Sequence, residues 1–137
     1  MTASAERRAL QAAIAIGLLV SLYAGGAGVV EGPSMVKGVG GTDLDSHFRY
    51  LSGLLLGIGL AFIACIPAIE RRTTVFRTLG AIVIVGGLAR LLSAADLGLP
   101  SSGHLFGLTM ELAAVPLLVL WQGRVARRFA STEPHMR

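Results

Sequence analysis

The chain has 137 residues, 53% of them apolar and only 15% charged, with a formal net charge of +4 and a mean hydropathy of +0.70. Soluble domains carry about 25% charged residues, and a water-soluble core cannot absorb this much apolar surface. An isoelectric point of 10.2 would suit a nucleic-acid surface, but the basic residues form no patch interleaved with aromatics, so nucleic acid is excluded as the partner and the lipid bilayer takes its place.

Four apolar stretches, 9–30, 50–69, 75–95 and 104–125, fill most of the chain. About 20 residues of helix cross a hydrocarbon core, so each stretch is one span. With no water to satisfy backbone groups in lipid, the spans must be helices with internal hydrogen bonds. The fold class is therefore all-α: an integral membrane four-helix bundle, with residues 1–137 forming a single transmembrane domain.

The first stretch follows the string MTASAERR, the layout of a secretory signal. Its apolar run is longer than the ~7 to 15 residues of a signal core, so it reads as a span. It ends at Glu31-Gly32-Pro33, where Pro33 and then Gly38, Gly40 and Gly41 forbid a continued helix, making Gly32 to Ser46 the longest loop. Asp45 or Ser46 can cap the second span by accepting from its free N–H groups. The single cysteine, Cys65, excludes an intrachain disulfide and reads as a small buried hydrophobe. Pro67 closes the second span.

Asp96 to Ser102, with Gly98 and Pro100, forms a tight turn before the fourth span, which Ser101 or Ser102 can cap. Pro116 removes a donor inside that span and frees the Leu112 carbonyl beside Glu111, which predicts a kink. Trp121 and Gln122, followed by Arg124, read as an interface anchor that sets depth. His135 falls in the polar tail.

Charges sort by connection. Arg7 and Arg8 precede the first span, Arg71, Arg72 and Arg77 surround the second connection, and Arg124, Arg127, Arg128 and Arg137 follow the last span. By the positive-inside rule both termini and the second connection are cytoplasmic, and the first and third connections lie outside. The expected location is a bacterial inner membrane.

Small residues mark where lipid-embedded helices approach one another. The first span carries Gly17, Ser21, Gly25 and Gly28, and the second carries Gly53, Gly57, Ala61 and Ala68. Gly86 and Gly87 precede Arg90 by one turn, and Gly107 and Ala114 flank Glu111. Helical spacing places charges on these same faces: Glu31, Arg49, Arg90 and Glu111, with His104 two turns before Glu111. A charge at the membrane centre costs about 2.5 to 3.5 kcal/mol on insertion scales, so such groups face the interior and pair. Arg90 with Glu111 is the first pair expected. Arg49, Glu31, His47 and His104 sit nearer the interface, where a fastening role competes with a ligand-binding one.

No phosphate-binding loop, dinucleotide turn, HExxH motif, activated nucleophile or haem-attachment motif is present in the sequence, and no histidine or carboxylate spacing matches a metal signature, so neither a cofactor nor a metal is assigned. The string Ser46-His47-Phe48-Arg49-Tyr50-Leu51-Ser52-Gly53, together with Gly87-Leu88-Ala89-Arg90-Leu91-Leu92-Ser93 and Glu111-Leu112, resembles small bacterial four-span membrane proteins grouped as domain of unknown function 4345. The resemblance covers nearly the whole chain up to Arg124. It implies a four-helix membrane bundle and, more faintly, kinship with DoxX-like proteins, some of which accompany quinone-linked redox enzymes. It implies no activity.

The reading that follows is non-enzymatic. Arg90, Glu111, Arg49, His104, Glu31 and His47 are the candidate ligand-binding residues of a small accessory protein. Such a protein would hold a lipid, a quinone-like molecule or a partner helix, a second copy of the chain included. The alternative is a proton-coupled carrier or membrane redox component in which Glu111 changes protonation while Arg90 holds the anionic group.

Overall fold

The structure, a computed structural model, describes residues 2–131. His135 and Arg137 lie outside the described residues. The described chain has helices and no strand: α1 (Ala3–Glu31), a 3-10 turn (Gly32–Val36), α2 (Thr42–Cys65), a second 3-10 turn (Ile66–Ala68), α3 (Thr73–Leu97), α4 (Ser102–Thr109), a π-helical turn (Met110–Ala114) and α5 (Val115–Ala130). With the turns that continue them, these make four segments long and apolar enough to cross a membrane.

Each segment extends past the apolar run that announces it. Hydropathy reports lipid contact, whereas a helix continues until its backbone is interrupted. α2 starts at Thr42, eight residues before Tyr50, because Asp45 and Arg49 are one turn apart and their side chains bond at 2.8 Å, a spacing that supports a helical turn. The long first loop is therefore corrected to residues 37–41, and Asp45 and Ser46 lie inside the helix rather than capping it. The cap expected before the fourth span is also absent: Ser101 occupies the N-cap position but bonds no backbone N–H, and its Oγ lies 3.0 Å from His104 Nδ1. Pro67 ends α2 as expected, inside a 3-10 turn.

The chain divides into two compact units, one of residues 15–64 and one of residues 1–14 with 65–137. In the first, α1 and α2 meet on small residues. A Cβ added at Gly25 would lie 2.7 Å from the Leu56 backbone nitrogen, one at Gly28 would strike the Ser52 side chain, and one at Gly59 would touch Leu22 at 3.4 Å. Gly57, expected on the contact face, has open space instead, and Gly59, not among the small residues expected there, makes the contact. Gly32, at φ +63°, turns the chain beneath Arg49 and Asp45, where a Cβ would lie 2.9 Å and 2.5 Å from their side chains.

In the second unit Leu10, Ile69, Phe76, Gln122 and Val125 are fully buried, and Cys65 is buried too. Large apolar side chains elsewhere face outward, including Val85, Leu92, Leu117 and Leu120, each at least 64% exposed. So much outward apolar surface is incompatible with water and suits lipid. In lipid, burial brings little transfer energy and close packing carries association. Accordingly Gly80 meets Val119, and Gly87 meets Leu112 and Glu111, where an added Cβ would lie 2.7 Å and 2.9 Å away. Gly86 and Gly107, expected at contacts, have open space.

Candidate functional site

Arg90 and Glu111 lie on segments joined by the turn at Gly98, whose φ of +91° lets its N–H close α3 onto the Ala94 carbonyl. Gly87, one turn before Arg90, leaves room for Glu111 to approach. The expected pair forms: Arg90 Nε is 3.2 Å from Glu111 Oε1. The two ends differ, since the Arg90 side chain is 42% exposed and that of Glu111 only 16%. Glu111 Oε2 is buried without a hydrogen-bond partner among the described residues.

The predicted kink takes a more specific form. Pro116 cannot donate to Leu112, and the preceding turn is wound as a π-helix in which the Val115 N–H reaches Met110. Single π turns inside α-helices are frequent at functional sites. Here the turn contains Glu111 itself. Beside the pair lies a cleft of about 100 Å³ lined by Arg90, Ser93 and His104 together with Ala94, Pro100 and Leu108. Three residues with polar side chains thus meet an apolar wall.

The remaining candidates belong to the other unit. Arg49 is committed there: its Nε bonds Asp45, and its Nη1 donates to the carbonyls of Val29 at 2.6 Å and Val30 at 2.8 Å. It therefore closes the C-terminal end of α1, where helix carbonyls lack partners. Glu31 and His47 are exposed.

Sequence reasoning missed a second polar centre. Glu6 is 3% exposed and meets Arg124 at 3.1 Å and also Arg128. Arg7 reaches Glu70 at 3.0 Å, the Pro67 carbonyl at 2.8 Å and the face of Phe129 at 5.9 Å. Gln11 donates to the Ile66 carbonyl at 2.7 Å. Gln122, read from sequence as a depth anchor, is instead fully buried and donates to the Ile69 carbonyl and to Thr73 Oγ1, both at 2.8 Å. The one hint was compositional: Glu6 and Glu70 are acids within otherwise basic stretches.

Four segments long and apolar enough to cross a membrane define a multi-pass helical membrane protein. Residues 9–122 match the family described as Domain of unknown function (DUF4345), and the chain belongs to that family. No curated protein and no solved structure matches it. Nothing in these comparisons bears on the fainter kinship with DoxX-like proteins.

Proposed function

We propose that this chain is a small, non-enzymatic binding or accessory protein of the bacterial inner membrane, with both termini cytoplasmic, that holds the polar end of a membrane-borne partner in the cleft beside Arg90. The partner is a lipid, a quinone-like molecule or a side chain from another membrane helix. The observation that supports this reading is the convergence of Arg90, Ser93 and His104 on one small cleft with an apolar wall. Ligand pockets that engulf a whole small molecule are larger, about 300–1,000 Å³. A cleft of about 100 Å³ suits a headgroup or a ring carbonyl whose apolar remainder stays in lipid. A second reading, a proton-coupled carrier or redox component, draws support from the unpartnered Glu111 Oε2 within the π turn.

Exchange of the charges tests the binding reading. A structural pair needs only two complementary charges, whereas a binding site needs a given charge at a given place. Arg90→Glu combined with Glu111→Arg should leave a folded four-span protein that loses the molecule co-purifying with wild type, as read by native mass spectrometry from detergent. Retention at wild-type occupancy would falsify the assignment. Cysteines placed at Thr42 and Ser102, but not at Thr73, should react with an impermeant thiol reagent added outside; the reverse pattern inverts the orientation.

A further inference from the structure

We infer that Arg77 and Arg127, converging over Gly123, form a second site, one that takes a phosphate-bearing anion at the basic end of α3 and α5. The two guanidinium groups come from different helices yet share one place. A Cβ built on Gly123 would lie 3.0 Å from Arg77 Nη2 and 4.0 Å from Arg127 Nη1, so no more than about 7 Å separates the two nitrogens. Arg127 sits one turn after Gly123 on α5, on the same face. Arg77 is brought across from α3 because Gln122 ties α5 to Ile69 and Thr73. Glycine at 123 keeps the space between them free of a side chain.

Other arginines at this end have carboxylate partners among the described residues. Arg7 has Glu70, and Arg124 and Arg128 share Glu6. Among the described residues Arg77 and Arg127 pair with no carboxylate. Guanidinium forks match phosphate oxygens in pairs, which makes arginine the residue suited to planar, two-point recognition of a phosphate. Trp121, two residues before Gly123, belongs to the class of side chain that settles at headgroup depth, and basic residues next to a span attract anionic headgroups. The site is about 20 Å along α3 from Arg90, at 1.5 Å per residue, and does not depend on the reading of that cleft.

Detergent-purified protein should be titrated with phosphatidylglycerol, phosphatidylcholine and sodium phosphate, with bound lipid counted by native mass spectrometry and thermal stability followed in parallel. Wild type should retain phosphatidylglycerol, and Arg77→Gln with Arg127→Gln should lower its occupancy about tenfold. Arg8→Gln with Arg72→Gln removes the same charge and should leave occupancy unchanged. Gly123→Ala keeps both charges and should weaken retention by crowding Arg77. Stabilisation by sodium phosphate over sodium chloride at equal ionic strength, lost in the Arg77 and Arg127 variant, identifies free phosphate as the occupant; lipid retention without it identifies a headgroup. Binding of neither, or an equal loss in the Arg8 and Arg72 control, overturns the site. An Arg90→Met, Glu111→Gln protein should still bind here, which separates this site from the cleft.

Discussion

Removing one member of the Arg90–Glu111 pair should cost more than removing both, and the two single changes should differ. Arg90→Met strands a carboxylate whose side chain is 16% exposed and whose second oxygen already has no partner. Breaking a buried pair costs about 3–5 kcal/mol, and the lower edge, about 3 kcal/mol, applies here. Glu111→Gln strands an arginine that is 42% exposed, so the penalty must be discounted toward the surface range, to about 1–2 kcal/mol. The double variant leaves no stranded charge and should fall below Arg90→Met alone, giving a coupling energy of about 1–3 kcal/mol. Titration of the protein in mixed micelles with sodium dodecyl sulfate can be followed by far-ultraviolet circular dichroism and by the fluorescence of Trp121, the single tryptophan. Strict additivity of the two single effects would refute the pair as an energetic unit.

Two further perturbations use the same titration. Gly25→Ala forces a Cβ to within 2.7 Å of the Leu56 backbone nitrogen and should cost about 1–3 kcal/mol, whereas Gly26→Ala, with nothing within 4 Å, should be neutral or stabilise by up to about 1 kcal/mol; equal effects would refute the α1–α2 contact. Gln122→Leu leaves the Ile69 carbonyl without its donor and should cost about 1–3 kcal/mol, with Thr73→Val costing about 1 kcal/mol or less. If Gln122→Leu is no worse than Arg124→Gln, whose side chain is 63% exposed, Gln122 is only a depth anchor.

Run length made the four spans legible, because a bilayer imposes one length on every apolar helix. The Arg90–Glu111 pair was legible for a related reason: both residues sit on small-residue faces of segments joined by a short turn, and lipid forces such charges together. The ends of the helices were not, since Thr42–Arg49 is polar and its helicity is locally stabilised by the Asp45–Arg49 pair, which hydropathy does not register. Pro116 signalled a disturbed turn but not its form, because either a bend or one extra residue in the turn accommodates a missing donor. Nor could the glycines be sorted: Gly86 and Gly87 are neighbours in sequence, yet only Gly87 meets another helix. The Glu6 centre joins residues 122 positions apart, and no local pattern encodes such a meeting.

What separates a fastening arginine from a binding one is how many of its five donors the protein consumes. Arg49 gives Nε to Asp45 and Nη1 to two carbonyls at the end of α1, and those carbonyls would otherwise lack partners. Arg124 and Arg128 converge on a carboxylate that is almost wholly buried. Arg49 cannot accept a ligand without breaking what it holds, and a ligand at Arg124 or Arg128 would compete with the buried Glu6 carboxylate. Arg90 contacts Glu111 through Nε and has no other partner among the described residues, while lining an open cleft with Ser93 and His104. The helix facing it carries a π turn, a less favourable winding than the α-helix on either side, and that turn places Glu111 at the pair. A scaffold needing only a fastener could use an ordinary helix with both donors and acceptors filled. Donor capacity left open beside an interrupted helix is what favours the cleft at Arg90, over the more elaborate network around Glu6, as the site of the proposed partner.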